Sequence, residues 1–301
     1  MKTEIAYDKR EMDLPKSPSP FKVIIDEFKR DKIALFSLVL LTALLLFVFI
    51  VAAFLDQDKV TKIDFFSMFL PPSTEHWLGT DYGGRDVFGQ LIIGTKNSFY
   101  IGFLITLITC TVGLIVGLVA GYFAGNVDNV IMRIIDFILI FPFLMTVIVF
   151  ITLIPEFSVT NFVLIMSLFL WTSKARLIRS KVLSEMNNEY ISASKVMGTP
   201  HWKIITFQLL PNISSLIIVA FTLNLAGNIG IESGLSYLGF GLPESTPSLG
   251  TLISYARNPD VLQNKWWIWL PASVMILVLM LCINFIGEAL KRAADAKQRR
   301  N

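Results

Sequence analysis

Long uncharged runs alternate with short polar ones along this chain, and the run lengths predict its elements. Ile33 to Leu55 has no charged residue, and at about 1.5 Å per helical residue it crosses a hydrocarbon core of about 30 Å. Further runs predict spans at Ser98 to Ala124, Ile134 to Ile154, Phe157 to Ser173, Asn212 to Ile231, and Trp266 to near Leu290. Pro142 is expected to kink the third span, and Pro155 to end it. Trp266, Trp267 and Trp269 open the sixth as an aromatic belt. The expectation is an all-α, polytopic membrane protein with six transmembrane helices over residues 33–290, a leading segment at 1–32 and a tail at 291–301.

The polar stretches complete the plan. Residues 56–97 and 232–265 read as exterior loops, and 174–211 as a loop on the opposite side. Gly125-Asn126 is expected as a tight turn. Residues up to Pro20 read as a flexible tail, because Pro15, Pro18 and Pro20 exclude a regular helix. Phe21, Ile24, Ile25 and Phe28 then recur at helical spacing among Lys22, Asp26, Lys29 and Arg30. That is either an amphipathic helix on the membrane surface or the aqueous start of the first span. Glycines recur at 102, 113, 117, 121 and 125, and the four at i, i+4 spacing from Gly113 to Gly125 form a small-residue face suited to close helix approach.

Composition agrees with a lipid-facing chain: 54% hydrophobic and 16% charged, against about a quarter charged in soluble domains, with a mean hydropathy of +0.63. A net charge of +3 points to no nucleic-acid partner. The distribution of charge is more informative. Lys59, Lys62, Arg85, Lys96, Arg257 and Lys265 fall on the side of the exterior loops, and the other 20 of the 26 basic residues fall on the opposite side. The expectation is therefore a cell-membrane protein with both termini and the 174–211 loop in the cytoplasm. The first run is also too long for a cleaved signal core.

Little in the sequence suggests chemistry of its own. Cys110 and Cys282 lie in apolar runs and read as buried thiols. His76 and His201 stand far apart with no ligand cluster, so no metal site is expected. The Gly234–Gly241 stretch follows no strand and precedes no P-loop lysine, and no nucleophile, base and orienting acid occur together. The chain reads as a non-enzyme. Arg133 and Asp136 are spaced for a helix-end ion pair, and Glu232 and Glu288 are expected at the membrane interfaces. That leaves no intramembrane carboxylate to couple an ion gradient. Asn224 and Asn228 share one face of the fifth span, and with Thr222, Ser233 and Asn284 they either line a solute pathway or bond helix to helix. Asp81, Arg85 and Asp86 flank a Gly-Gly turn, and either brace that loop or meet an external binding protein.

The stretch from Glu189 to Asn212 is polar between two spans. Asn188 can cap a helix, Gly198 can end it in the left-handed region, and Thr199-Pro200 can begin a second. Small Ser192, Ala193 and Ser194 would let the first helix seat in a partner's groove, with Tyr190, Met197 and Trp202 as apolar contacts.

With Gly198 followed by Leu210-Pro211, and Ala193 five residues before the glycine, this stretch resembles the coupling loop of permease subunits in ATP-binding-cassette importers. That family's loop opens on Glu-Ala-Ala; here Ser192 stands at the acidic position, and Glu189 lies one turn earlier. His76-Trp77-Leu78-Gly79-Thr80-Asp81 with Gly84-Arg85-Asp86-Val87, and Glu232-Ser233-Gly234-Leu235-Ser236-Tyr237-Leu238-Gly239-Phe240-Gly241, resemble the C-type permease of dipeptide, oligopeptide and nickel importers. The resemblance runs from about Asp31 to Arg292. It implies a type I importer fold and a heterodimer with a sister permease. Two ATPase subunits would dock on the loop, using ATP and Mg that this chain does not itself bind. A binding protein would deliver a peptide, a nickel ion or a metal chelate from outside.

Overall fold

The computed structural model describes residues 20–154, 158–243 and 245–298. The expected tail before Pro20, the Pro155 stop, the Phe157 start of the fourth span and the last three residues lie outside them. Among the described residues all regular elements are helical, apart from one isolated β-bridge between Thr80 and Asp86. In chain order the α-helices are α1 (Pro20–Arg30), α2 (Lys32–Phe54), α3 (Gln57–Val60), α4 (Val87–Phe123), α5 (Gly125–Ile140), α6 (Phe143–Leu153) and α7 (Val159–Glu185). They continue as α8 (Glu189–Val196), α9 (His201–Ile204), α10 (Leu210–Leu238), α11 (Leu249–Ser254), α12 (Pro259–Asn264) and α13 (Trp266–Gln298). Five helices are long and apolar enough to cross a membrane, or six if the bent pair α5 and α6 counts as one span.

Several helices outrun the apolar runs that predict them. α4 starts at Val87 rather than Ser98, because the Asp86 carboxylate accepts the Gly89 N–H at 2.7 Å as its N-cap. Its first turns carry polar residues yet are buried, Gln90, Thr95 and Ser98 included. α7 runs on past Ser173 to Glu185, and α10 past Ile231 to Leu238, where Gly239 ends it at φ +93°. The third span is not simply kinked. Pro142 has no N–H to donate and holds Phe141 extended, so α5 and α6 are separate helices at a 77° bend. The chain reversal before α5 falls on Ala124 and Gly125, both at positive φ, one residue earlier than expected.

The closest packing joins α4 to α7. A Cβ added at Gly113 would lie 2.5 Å from Lys174 Cβ, one at Gly117 would lie 2.7 Å from the Ala175 carbonyl oxygen, and one at Gly121 would lie 2.8 Å from Val182 Cβ. The small-residue face therefore has α7 as its partner and ends at Gly121, since Gly125 has no neighbour within 4 Å. Gly102 serves α10 in the same way, 2.7 Å from Ile229 Cγ1. α13 packs on α10 and α2, and α2 turns Phe36, Val39 and Leu46 outward. α1 does not lie alone on a surface. Phe28 is buried with Ala34, Ile286 and Ala289, and Arg292 of α13 pairs with Asp31 and, at 3.2 Å, with Glu27.

A side chain at Gly117 meets backbone that cannot yield, whereas one at Gly227 meets open space. Gly117→Val should collapse the yield of monodisperse protein in mild detergent, and Gly227→Ala should leave it unchanged. Fluorescence-detected size exclusion distinguishes the two.

Candidate functional site

The loop between α7 and α10 is mounted on the α4–α7 contact. Ile191, Ile204 and Leu209 are fully buried against Leu118 and Tyr122 of α4 and Ile178 and Val182 of α7. The Tyr122 hydroxyl lies 2.7 Å from His201 Nδ1. A polar chain ties the same parts together. Lys181 pairs with Glu185 at 3.0 Å; Glu185 accepts from the Asn188 amide at 2.8 Å and the Tyr190 hydroxyl at 3.1 Å; that hydroxyl accepts from the Asn212 amide at 2.8 Å. Tyr190 is thus a hydrogen-bonded bridge from α8 to α7 and α10 as well as a half-exposed ring. Asn188 stands at the N-cap but spends its side chain on Glu185.

Gly198 takes φ +75°. The Thr199 N–H donates to Ser194 O and the Gly198 N–H to Lys195 O, both at 3.0 Å, which is the paired Schellman closure of a helix end. The second helix differs from expectation. Its N-cap is Pro200, with no side-chain cap, so Thr199 does not begin it. Nor does it stand apart, because α9 passes into α10 through a π-helical turn at Ile205–Leu209. Pro211 cannot donate to Phe207 O, and the Leu210 N–H bonds Ile205 O five residues back. His201 to Leu238 is in effect one long helix, and α10 begins before the expected Asn212.

Of the three small residues, Ser192 and Ala193 are exposed, while Ser194 turns inward and accepts from the Gln208 amide at 2.8 Å. The tip shows a cluster of outward apolar side chains: Val196 at 89% exposure, Met197 at 76%, Phe207 at 70% and Trp202 at 58%. Val196 and Phe207 escaped the sequence reading. Trp202 and Phe207 lie edge on at 6.2 Å between ring centres. Glu189 and Pro211 are exposed and Leu210 is half-buried.

The polar residues within the spans separate. Asn228 is buried and donates to Thr106 of α4 at 2.8 Å, so it bonds helix to helix. Asn224 and Thr222 bond their own helix, at Ala220 O and Ile218 O, and Asn284 is half-buried. Ser233 bonds Ile229 O and belongs to a cage around Glu232. Glu232, near the end of α10, is fully buried within the protein, accepting from Ser98 of α4 and from Ser236, each at 3.0 Å. Ser98 in turn accepts the Leu249 N–H at 3.0 Å, which pins α11 to α4 and α10. Asp128 is buried and held by the half-buried Arg179, while the exposed Asp136 pairs with the exposed Arg176, joining α5 to α7 in place of the expected Arg133–Asp136 pair. Lys174 is also buried. Glu288 stays exposed, 3.9 Å from Arg292.

In the 56–97 loop Asp81 and Arg85 are withdrawn from the surface and face each other at 2.8 Å. Asp81 also accepts the Gly83 and Arg85 N–H groups and the Gln90 amide, and Arg85 donates to Tyr255 at 3.1 Å. Burial works against the Arg85 charge, but Tyr255 and Asp81 outweigh it and hold the pKa above the usual guanidinium value. Asp86 caps α4 and lies 2.9 Å from His76 Nδ1. These three residues brace the loop, and Asp86 alone keeps part of its side chain at the surface. The Ser67 hydroxyl and Phe66 N–H hold the Asp64 carboxyl below its usual value. That support is full at neutral pH and fades as pH falls through the lowered pKa.

Five long apolar helices, or six crossings with the bent α5–α6 pair, together with a glycine-packed centre and a stalked apolar tip, describe a polytopic membrane protein. The profile of the family described as "Binding-protein-dependent transport system inner membrane component" matches residues 113–300, and that of the "N-terminal TM domain of oligopeptide transport permease C" matches residues 19–72. The chain belongs to this family, the permease subunits of ATP-binding-cassette importers. It is 47% identical, over 91% of its length and 94% of the relative's, to the "Oligopeptide transport system permease protein OppC" of Lactococcus lactis subsp. cremoris. It is 35% identical to the "Dipeptide transport system permease protein DppC" of Bacillus subtilis, over 90% of this chain and 84% of that one. It is 34% identical to the "Oligopeptide transport system permease protein AmiD" of Streptococcus pneumoniae, over 94% and 91%.

Tyr190→Phe removes both hydrogen bonds of the bridging hydroxyl. At about 1 kcal/mol each, local opening of α8 should become at least about tenfold more frequent. Hydrogen exchange by mass spectrometry should show faster exchange confined to α8, and unchanged exchange would rule out the bridge.

Proposed function

We propose that this chain forms half of the translocation pathway of a peptide importer, with its 174–211 loop in the cytoplasm docking an ATPase subunit. The observation that carries the reading is the apolar tip of Val196, Met197, Trp202 and Phe207 on a hydrogen-bonded stalk. Side chains so exposed and so firmly mounted suit a groove in another protein. Exposed Ser192 and Ala193 let α8 approach that groove closely, and Glu189 offers a charge at its rim. The excess of basic residues on this side supports the orientation. The relatives named for oligopeptides and dipeptides favour a peptide as solute over nickel or a metal chelate.

A homologous permease would complete the pathway as a heterodimer, two ATPases would bind ATP and Mg beneath it, and an external binding protein would deliver the solute. This chain would bind no nucleotide. Closure of the ATPases on ATP would then move the tip and favour one of two arrangements of the helices. ATP can do so only if the tip binds the closed pair differently from the open one.

Purification from the native membrane in mild detergent should recover a homologous permease and one or two ATPase polypeptides. Recovery of the chain alone, stable and binding solute by itself, would overturn the reading. Within the complex, Ala193→Trp, or Gly198→Pro with a φ that proline cannot adopt, should abolish peptide uptake and solute-stimulated ATP hydrolysis at normal membrane levels. Undiminished uptake by either variant would sink the docking model.

A further inference from the structure

Between α2 and α4 the chain carries aromatic side chains that nothing else in it covers. Phe65 is 74% exposed, Phe66 is 100% exposed and Trp77 is 69% exposed. They are stiffly mounted. The Asp64 carboxylate accepts the Phe66 N–H at 3.1 Å and the Ser67 hydroxyl at 2.7 Å, and backbone bonds tie Asp64 to Gly83, Phe69 to Asp81 and Leu70 to Thr80. Bare aromatic rings on a rigid mount are unfavourable in water and suit a surface that takes them up.

Two sets of contacts fix the level of this segment. Trp77 rests on Phe88 at 5.2 Å between ring centres, and Phe88 packs with Val51 and Leu55 at the end of α2. On its other side the Trp267 indole N–H donates to Thr80 O at 3.3 Å, and the Lys265 ammonium stands 4.3 Å over the Phe69 ring, both at the start of α13. The segment therefore lies where two spans end. Phe54, itself exposed, carries the outward apolar side of α2 up to that level.

We propose that Phe65, Phe66 and Trp77 form a foot set in the headgroup–acyl boundary of the bilayer, beside the end of α2. Aromatic rings are favoured at that depth, and an apolar face there enters by about 5–10 Å. Asp64 agrees with a shallow seat, because its bonds to Ser67 and Phe66 keep its carboxyl ionised, and Lys62 stands exposed nearby for a lipid phosphate. A binding protein that comes and goes would leave the rings in water between visits, whereas lipid covers them at all times. The foot would hold the mount, and with it the start of α4, at a fixed depth.

The test is electron paramagnetic resonance of a nitroxide attached through Phe66→Cys, with Cys110 and Cys282 replaced by alanine. The transporter is purified with its co-purifying subunits, placed in phosphatidylcholine–phosphatidylglycerol nanodiscs, and used only where it elutes as the wild type does. Leu46→Cys on the outward side of α2 and Asp58→Cys on α3, both exposed, serve as the lipid and water references. The ratio of oxygen to nickel-chelate exposure at 66 should exceed that at 58 by about threefold or more. A ratio equal to that at 58 would put the rings in water, free for an external binding protein, and low exposure to both reagents would put them beneath another subunit; either result overturns the proposal. A water-like ratio at 46 would overturn the placement of α2 in lipid, and the foot would fall with it.

Discussion

Where Gly113, Gly117 and Gly121 meet Lys174, Ala175, Ile178 and Val182, the backbones of α4 and α7 come so close that no Cβ would fit between them. In lipid, two apolar helices gain little by leaving the surrounding tails, and association depends on close packing and interhelical hydrogen bonds. The glycines supply the packing. α4 then offers its remaining faces to α10 through Gly102 and the Asn228–Thr106 bond, and to α2 and α11. With α4 fixed, the clasp around Glu232 at one end and the seat of the 189–209 loop at the other are both assembled on one helix.

The two ends use different chemistry. At the end away from the 189–209 loop a buried carboxylate gathers serine hydroxyls from α4 and α10, and Ser98 relays the contact to α11. At the loop end apolar burial of Ile191, Ile204 and Leu209 does most of the holding, and the Lys181–Glu185–Tyr190–Asn212 chain sets the direction of α8. The polar groups named in both places find partners within the chain, with Gln208 Oε1 a buried exception at the loop end, and the apolar tip is the part turned toward something else.

The spans were legible because uninterrupted apolar length has few other readings, and the family was legible from three motifs in order. The ends of helices were not. Val87–Asn97 carries Gln90, Thr95 and Lys96 and looks like loop, yet it is helix: Gln90 bonds Asp81 of the preceding segment, Thr95 bonds its own helix at Leu91 O, and Lys96 is exposed. The burial of Glu232 was not legible, because Ser98, 134 positions away in the chain, leaves no local trace beside it. Arg133 stood at the right spacing for Asp136, but Arg176 from α7 reaches it across space. In the loop, the left-handed Gly198 was readable from local chemistry alone, whereas the fusion of α9 with α10 depended on how Pro211 displaces one hydrogen bond.

That fusion gives the molecule something like a connecting rod. His201 to Leu238 spans about 57 Å at 1.5 Å per residue, with Trp202 and Phe207 near one end and Glu232 near the other. Its single wide turn, at 205–209, lies close to the tip and is held there by Leu209, buried with Ile204 against α4 and α7, so tip and shaft are seated on the same pair of helices and a displacement of one is carried to the other.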